Sequence, residues 1–250
     1  MRRAGGLVHA VLRHLGEMVA PGVTTQELND EAERLTLEAG AECLFKGVPG
    51  RFGAGPFPGA ACVSVNEQVV HGIPSKRKIA EGDVVSIDFG VRLDGWCGDA
   101  ADTFIVGEVP DGTRRLVDVT RNSLEIVFGM VRARERWSNV ARALQQYIEG
   151  EGFSVVREFV GHGIGRSMHE EPKVPNFVSP ELEARDILLQ EGMVLAVEPM
   201  VNAGTAAVEL APDRWTVLTR DRRPSAHYEH TIAVAADGAD VLTDGRQGTR

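Results

Sequence analysis

Val84-Val85-Ser86-Ile87-Asp88-Phe89-Gly90-Val91 leads to Asp94-Gly95 and continues as Trp96-Cys97-Gly98-Asp99. The apolar run reads as a buried strand, and Asp94-Gly95 is a pair that favours a two-residue hairpin turn. That turn sets Asp88 opposite Ala101 and Gly90 opposite Asp99. Residues 88 and 90 share a face because side chains alternate along a strand. Asp88 and Asp99 then become diagonal neighbours, about 7–8 Å apart at the backbone, with carboxylates able to converge on one ion. A bulge would shift the register and break this arrangement. The competing reading is two solvated carboxylates on an exposed face.

Two further acids stand in apolar, strand-like runs: Glu198 in Leu195-Ala196-Val197-Glu198-Pro199, and Glu229 in Tyr228-Glu229-His230-Thr231-Ile232. Proline after Glu198 ends or edges its strand. A buried salt bridge to arginine is the alternative for Glu229. Four carboxylates gathered in a core would stay protonated unless cations neutralised them. Gly161-His162-Gly163-Ile164-Gly165 supplies an imidazole among glycines, which permit close backbone approach or positive φ. One imidazole with four carboxylates suits two divalent metals of hard-to-borderline character. His169 lies seven residues further on. His71, in His71-Gly72-Ile73-Pro74, reads equally as a site-facing or a turn histidine. His9, His14, His227 and His230 read as structural, with His230 on the strand face opposite Glu229.

The 250 residues are 43% hydrophobic and carry a net charge of −9. That size supports one sizeable core, and the acidic balance argues against a nucleic-acid ligand, which wants a basic face. The three cysteines, Cys43, Cys62 and Cys97, include no CxxC pair, so a reduced, cytoplasmic protein is expected. No apolar run approaches the ~18 residues of a membrane span.

Periodicity predicts helices over about 2–19, from a Thr24/Glu27 capping box to Gly40, from a cap at Asp111, and from a cap at Ser138 to near Gly150. Strand-like runs are Ala61–Val65, Val84–Val91, Thr103–Val106, Val155–Phe159, Val194–Val197, Thr216–Leu218 and Thr231–Ala235. The Gly/Pro-rich stretch from Gly47 to Gly59 reads as a loop beside a site or a flap. Helices precede acid-bearing strands in each half. The expectation is therefore one α+β domain over 1–250, with pseudo-symmetric halves of about 1–110 and 111–250.

Taken together, Cys62 through Asn66 and His71 to Pro74, Asp88…Asp99, Gly161-His162-Gly163…His169-Glu170-Glu171-Pro172, Glu198-Pro199-Met200 and Tyr228-Glu229-His230-Thr231 give a sequence that resembles the type I methionine aminopeptidases. Only 28 residues separate His169 from Glu198, too few for the helical insertion of type II enzymes. The resemblance implies the pita-bread fold, with pseudo-two-fold related halves and a central antiparallel sheet covered by helices. It implies two divalent ions (Co, Mn, Fe or Zn) held by Asp88, Asp99, His162, Glu198 and Glu229, and a shared hydroxide that attacks the first peptide bond. Glu198 would move the proton, while His169 and His71 would stabilise the oxyanion and position the substrate. Phe57, Cys62 and Trp215 would line the methionine pocket. A monovalent cation near Asn66, Gln68 and Ser225 is also implied. The implied activity is removal of initiator methionine from nascent chains whose second residue is small, by a cytoplasmic monomer in transient contact with the ribosome. Met168 stands where many relatives have an aromatic, and Phe57 replaces a common tyrosine. The competing functions are an X-Pro aminopeptidase or prolidase-like exopeptidase, and a catalytically silent pita-bread binding module.

Overall fold

The computed structural model describes residues 1–50 and 53–246. Its helices are α1 (Arg2–Met18), α2 (Thr25–Glu38), α3 (Asp111–Met130), α4 (Trp137–Gly150) and the short α5 (Pro180–Ala184). The nine-stranded main sheet runs in the order Glu42–Cys43, Val84–Leu93, Trp96–Ile105, Glu229–Val234, Val194–Val197, Gly161–Gly163, Glu170–Val174. Ala61–Val65 adds to Val84–Leu93, and Ala239–Val241 to Glu229–Val234. Every pairing is antiparallel. The seam between Trp96–Ile105 and Glu229–Val234 joins strands from the two ends of the sequence into one sheet.

Alternation along the strands sorts the two faces. Ile87, Phe89 and Ala100 pack with Val8, Leu15 and Leu28 of α1 and α2. Leu195, Ile232 and Val234 pack with Leu116 and Leu124 of α3 and with Trp137 and Leu144 of α4. Helices thus cover one face, burying apolar surface at roughly 25 cal/mol per Å². Ser86, Asp88, Asp99, Thr103, Glu229 and Thr231 alternate with those core residues and belong to the opposite face. Two three-stranded sheets complete the structure: Ser154–Val155, Met200–Asn202 and Ser225–His227 form one, and Gln68–Val70, Val208–Leu210 and Val217–Thr219 the other.

The Thr24 capping box forms: Thr24 Oγ1 accepts from the Glu27 amide at 3.1 Å, and the Thr24 amide donates to Glu27 Oε2 at 2.7 Å. The other two expected caps are displaced. Pro110 occupies the cap position of α3, placing Asp111 inside the first turn. At α4 the helix starts one residue before Ser138, with Arg136 at the cap. There the capping acceptor comes from far along the chain, because Asp186 Oδ1 takes the Ser138 amide at 3.0 Å and Oδ2 its hydroxyl at 2.6 Å. The run Val155–Phe159 contributes only Ser154–Val155 as strand, and Thr216–Leu218 shifts by one residue to Val217–Thr219. Of the loop from Gly47 to Gly59, residues 51 and 52 lie outside the described residues. The remainder is tied down by Gly47 N–H to Phe57 O at 2.8 Å and Phe57 N–H to Val48 O at 2.9 Å. Cys43, Cys62 and Cys97 are all free thiols. No helix among the described residues is long and apolar enough to cross a membrane.

Candidate metal centre and substrate pocket

The hairpin adopts the register that its Asp-Gly turn dictates: Asp88 faces Ala101, and Gly90 faces Asp99. Asp94 and Gly95 both have positive φ, 52° and 75°, as this turn type requires. A Cβ on Gly90 would lie 2.8 Å from Asp99 Oδ1, so the absent side chain makes room for that carboxylate. Across the seam Glu229 pairs with Ala101, which puts it on the face of Asp88 and Asp99. His162 pairs with Ala196, which itself pairs with Thr231, so the imidazole joins the same face. Glu198 follows Val197 immediately beyond the strand end and alternates onto it too.

Glycine flanks His162 because the neighbouring strands press on both sides. A Cβ on Gly161 would meet Ala196 O at 2.2 Å, and one on Gly163 would meet Glu171 O at 2.3 Å. Neither has positive φ, so close approach of protein backbone, and no special dihedral, is what glycine provides. Gly161→Ala should therefore overpack the sheet, costing about 1–3 kcal/mol. A fall in Tm of several °C by calorimetry, at about 2–4 °C per kcal/mol, together with reduced Mn²⁺ stoichiometry, is the expected result. Unchanged values for both would contradict it.

Ligand-type atoms of Asp99, His162 and Glu229 all lie within 4.8 Å of one another. His162 Nε2 is 3.7 Å from Glu198 Oε1. The His162 Nδ1 is 2.9 Å from Gly163 O; with the proton on Nδ1, the Nε2 lone pair is turned toward the acids. Asp88 is close enough to reinforce burial in raising the carboxyl pKa values of Asp99, Glu198 and Glu229. Burial lifts its pKa to about 7. Burial, reinforced by Asp88, pushes Asp99 well up. Glu198 rises through burial and then Asp88 and Asp99, and Glu229 through burial and then Asp99, Glu198 and Asp88. Burial also lowers His162 to about 4. Asp88 Oδ1, Asp99 Oδ1 and Glu229 Oε1 are buried without hydrogen-bond partners. Buried carboxylate oxygens are ordinarily satisfied. Unpartnered oxygens converging beside a neutral imidazole are the donor set of a divalent cation site, and the residues present fit such ions.

Phe57, Cys62 and Phe45 form a buried cluster with Leu44, Val48, Ile73, Met168 and Trp215 around it. Cys62 pairs with Asp88 in register, which places this apolar cluster directly beside the acids. Burial, followed by Asp88, Asp99 and Glu229, pushes the Cys62 pKa well up, so it remains a neutral thiol within the apolar cluster. Trp215 meets Phe57 edge-on at 5.2 Å, and its indole Nε1 donates to Gly55 O at 2.9 Å. Pairing of Val217 with Val70 brings the neighbouring Trp215 and His71 rings to 6.3 Å. His71 has φ 58°, a conformation rare outside glycine. The His169 ring centroid is 4.4 Å from that of His162. His169 thus sits beside His162, while His71 lies against Trp215 and Phe159.

Phe45 joins this cluster without any motif to announce it in the sequence, whereas Ile73 and Met168 lie beside the histidines His71 and His169. His227 differs from the other histidines read as structural. Its Nε2 is buried without a hydrogen-bond partner, and burial, then His71, lowers its pKa to about 3. Its position two residues before Glu229 was the available signal. His230 Nδ1, by contrast, pairs with Thr243 Oγ1 at 2.7 Å on the helix-covered face.

An antiparallel sheet with helices over one face, and four carboxylates and an imidazole gathered on the other, defines a pita-bread metal-dependent hydrolase. The chain belongs to metallopeptidase family M24, whose family model matches residues 1–236. It is 46% identical over 243 residues to methionine aminopeptidase 1 of Bacillus subtilis, covering 97% of this chain and 94% of that one. It is 45% identical to the methionine aminopeptidase of Clostridium perfringens with the same coverage. The solved methionine aminopeptidase of Thermotoga maritima matches with a TM-score of 0.91 at 40% identity, covering 97% of this chain and 94% of that one.

Proposed function

We propose that this chain is a metal-dependent methionine aminopeptidase that removes the N-terminal methionine of peptides whose second residue is small. The observation that carries the reading is the apolar cluster of Phe57, Cys62 and Trp215, whose Cys62 pairs in register with Asp88 beside the other acids. A side chain anchored there presents its own peptide bond to the acids, which suits removal of one terminal residue. Asp88, Asp99, His162, Glu198 and Glu229 would hold two divalent ions, of the Co, Mn, Fe or Zn kind. Bound there, such ions lower the pKa of water toward neutrality and stabilise charge developing on the carbonyl oxygen.

The chain's own residues supply the rest. Glu198, at a strand end beside His162, accepts the proton of the attacking water and returns it to the leaving amine. His169 and His71 hold the scissile carbonyl and stabilise its developing negative charge. Phe57, Cys62 and Trp215, with Met168 beside them, receive the flexible, polarisable methionine side chain. A monovalent cation near Asn66, Gln68 and Ser225 fits the close approach of these segments, where Ser225 N–H donates to Asn66 O at 2.9 Å. We place the reaction in the cytoplasm, on nascent chains emerging from the ribosome, carried out by a monomeric single domain whose halves are residues 1–110 and 111–250.

The test is a mass-spectrometric assay on chelator-treated protein resupplied in parallel with Mn²⁺, Fe²⁺ or Co²⁺. Met-Ala-Ser and Met-Pro-Ser should lose methionine, while Ala-Pro-Ser and Met-Lys-Ser stay intact. Cleavage of Ala-Pro-Ser in place of the methionine peptides would assign a proline-directed exopeptidase. No cleavage with any of the three metals would leave a silent binding module.

A further inference from the structure

The seam between Trp96–Ile105 and Glu229–Val234 pairs through its backbone at Glu229/Ala101 and His230/Ala100. Extended by one residue at one end, that register brings Thr231 opposite Asp99. Extended by two at the other, it brings His227 opposite Thr103. At both places a threonine hydroxyl replaces the backbone ladder. Thr231 Oγ1 donates to Asp99 O at 2.7 Å and accepts from Asp99 N–H at 3.0 Å. Thr103 Oγ1 donates to His227 O at 2.6 Å and accepts from His227 N–H at 3.0 Å. Ser86, two residues before Asp88, completes the second clasp with its hydroxyl 2.8 Å from Thr103 Oγ1. Thr231 is fully buried and Thr103 nearly so, so water cannot substitute for either hydroxyl.

We propose that Thr231 and Thr103 are positioning residues, whose reciprocal clasps across the seam hold Asp99 and Glu229 at metal-binding separation. The inference rests on the reading of those two acids as metal ligands. Each clasp satisfies both backbone groups of one residue with a single hydroxyl; the first engages Asp99 itself and the second engages His227, two residues before Glu229. Direct backbone pairing at these positions would draw the strands closer by the width of an inserted side chain. Without the hydroxyl, the Asp99 amide and carbonyl would be left unpaired in the interior. The local backbone would then move to repair the loss and carry the carboxylate with it. Partners of metal ligands commonly change affinity by about 10–100-fold when removed.

The experiment is calorimetric titration of chelator-treated full-length protein with Mn²⁺ alone, alongside the Tm of the metal-free protein. Thr231→Val keeps the shape and removes both hydrogen bonds, and Thr231→Ser restores the hydroxyl. The expected result is Mn²⁺ affinity weakened about 10–100-fold in the valine variant and returned to within a few-fold of wild type by serine. Thr103→Val should weaken affinity from the other strand, and Thr231→Ala replaces the valine variant if that does not fold. A folded Thr231→Val protein with lowered Tm but wild-type Mn²⁺ affinity would make the threonine merely structural and overturn the proposal. Asp99→Asn separates the two readings. Wild-type binding that Asp99→Asn leaves intact overturns the ligand assignment itself. Binding lost in Asp99→Asn but kept in Thr231→Val overturns the clasp alone.

Discussion

Glu198→Gln should lower kcat for Met-Ala-Ser by about 10²–10⁴-fold, the range that a lost general acid–base group costs. The carboxyl in the metal-free protein is already pushed toward its neutral form by burial and by Asp88 and Asp99. A neutral amide of nearly the same shape is therefore a good structural replacement, and Tm without metal should stay close to wild type. The Asn176 Nδ2 to Glu198 O hydrogen bond at 2.9 Å uses the backbone carbonyl, so it survives the substitution and keeps the strand end in place. What the amide cannot do is accept a proton. Stopped-flow or discontinuous mass-spectrometric rates at saturating Mn²⁺ separate this loss from any weakened metal binding. Near wild-type turnover would remove Glu198 from the proton-transfer role and leave it as a ligand only. The charge of bound cations favours the ionised carboxylate and so opposes the shift that burial imposes. On the proposed reading, Glu198 would therefore act as a base only in the metal-loaded protein.

The parts of this site legible in the sequence share one property: each is governed by a local rule. Asp94-Gly95 selects a turn, the turn selects a register, and the register places Asp88 and Asp99 on one face; the observed pairing follows that chain of reasoning residue for residue. Glu229 could be recognised as costly because its neighbours are apolar. The capping box at Thr24 is likewise local, and it forms. Where a distant residue supplies the partner, the sequence is silent. Ser138 is not a cap because Asp186 reaches it from 48 residues away. Phe45 joins Phe57 and Trp215 only after several loops converge. The threonine clasps depend on the order of strands in the sheet, which sets residue 99 opposite residue 231. The glycines around His162 were visible, but the choice between dihedral freedom and close approach needed the adjacent strands to be placed.

Metal-free protein should lose stability as pH rises from 6.5 to 8.5, and metal-loaded protein should not. The direction follows from linkage. Asp88, Asp99, Glu198 and Glu229 all have folded-state pKa values raised above those of the unfolded chain. In this window the folded state therefore binds more protons than the unfolded state, and stability falls with increasing pH. The stabilisation carried by protonated Asp88 is complete below the unfolded carboxyl pKa and disappears as pH passes through its folded value of about 7. Across this window Asp88 alone accounts for about 1 kcal/mol, or a Tm decrease of roughly 2–4 °C; the other three carboxyls act in the same direction. The buried histidines have the opposite sign. His162, His227 and His230 are lowered to about 4, 3 and 4 by burial. Their stabilisation is lost as pH falls below the unfolded histidine pKa, so starting at 6.5 leaves most of their effect outside the measurement. Divalent ions displace the protons and bind the ionised acids, so saturating Mn²⁺ should flatten the profile and raise Tm most at the alkaline end. Differential scanning calorimetry with chelator and with Mn²⁺, at pH 6.5 and 8.5, reads both effects. A metal-free Tm that holds steady or rises between those values would mean that the four carboxyls are ionised without a cation, and the case for a metal centre built on their mutual burial would fall.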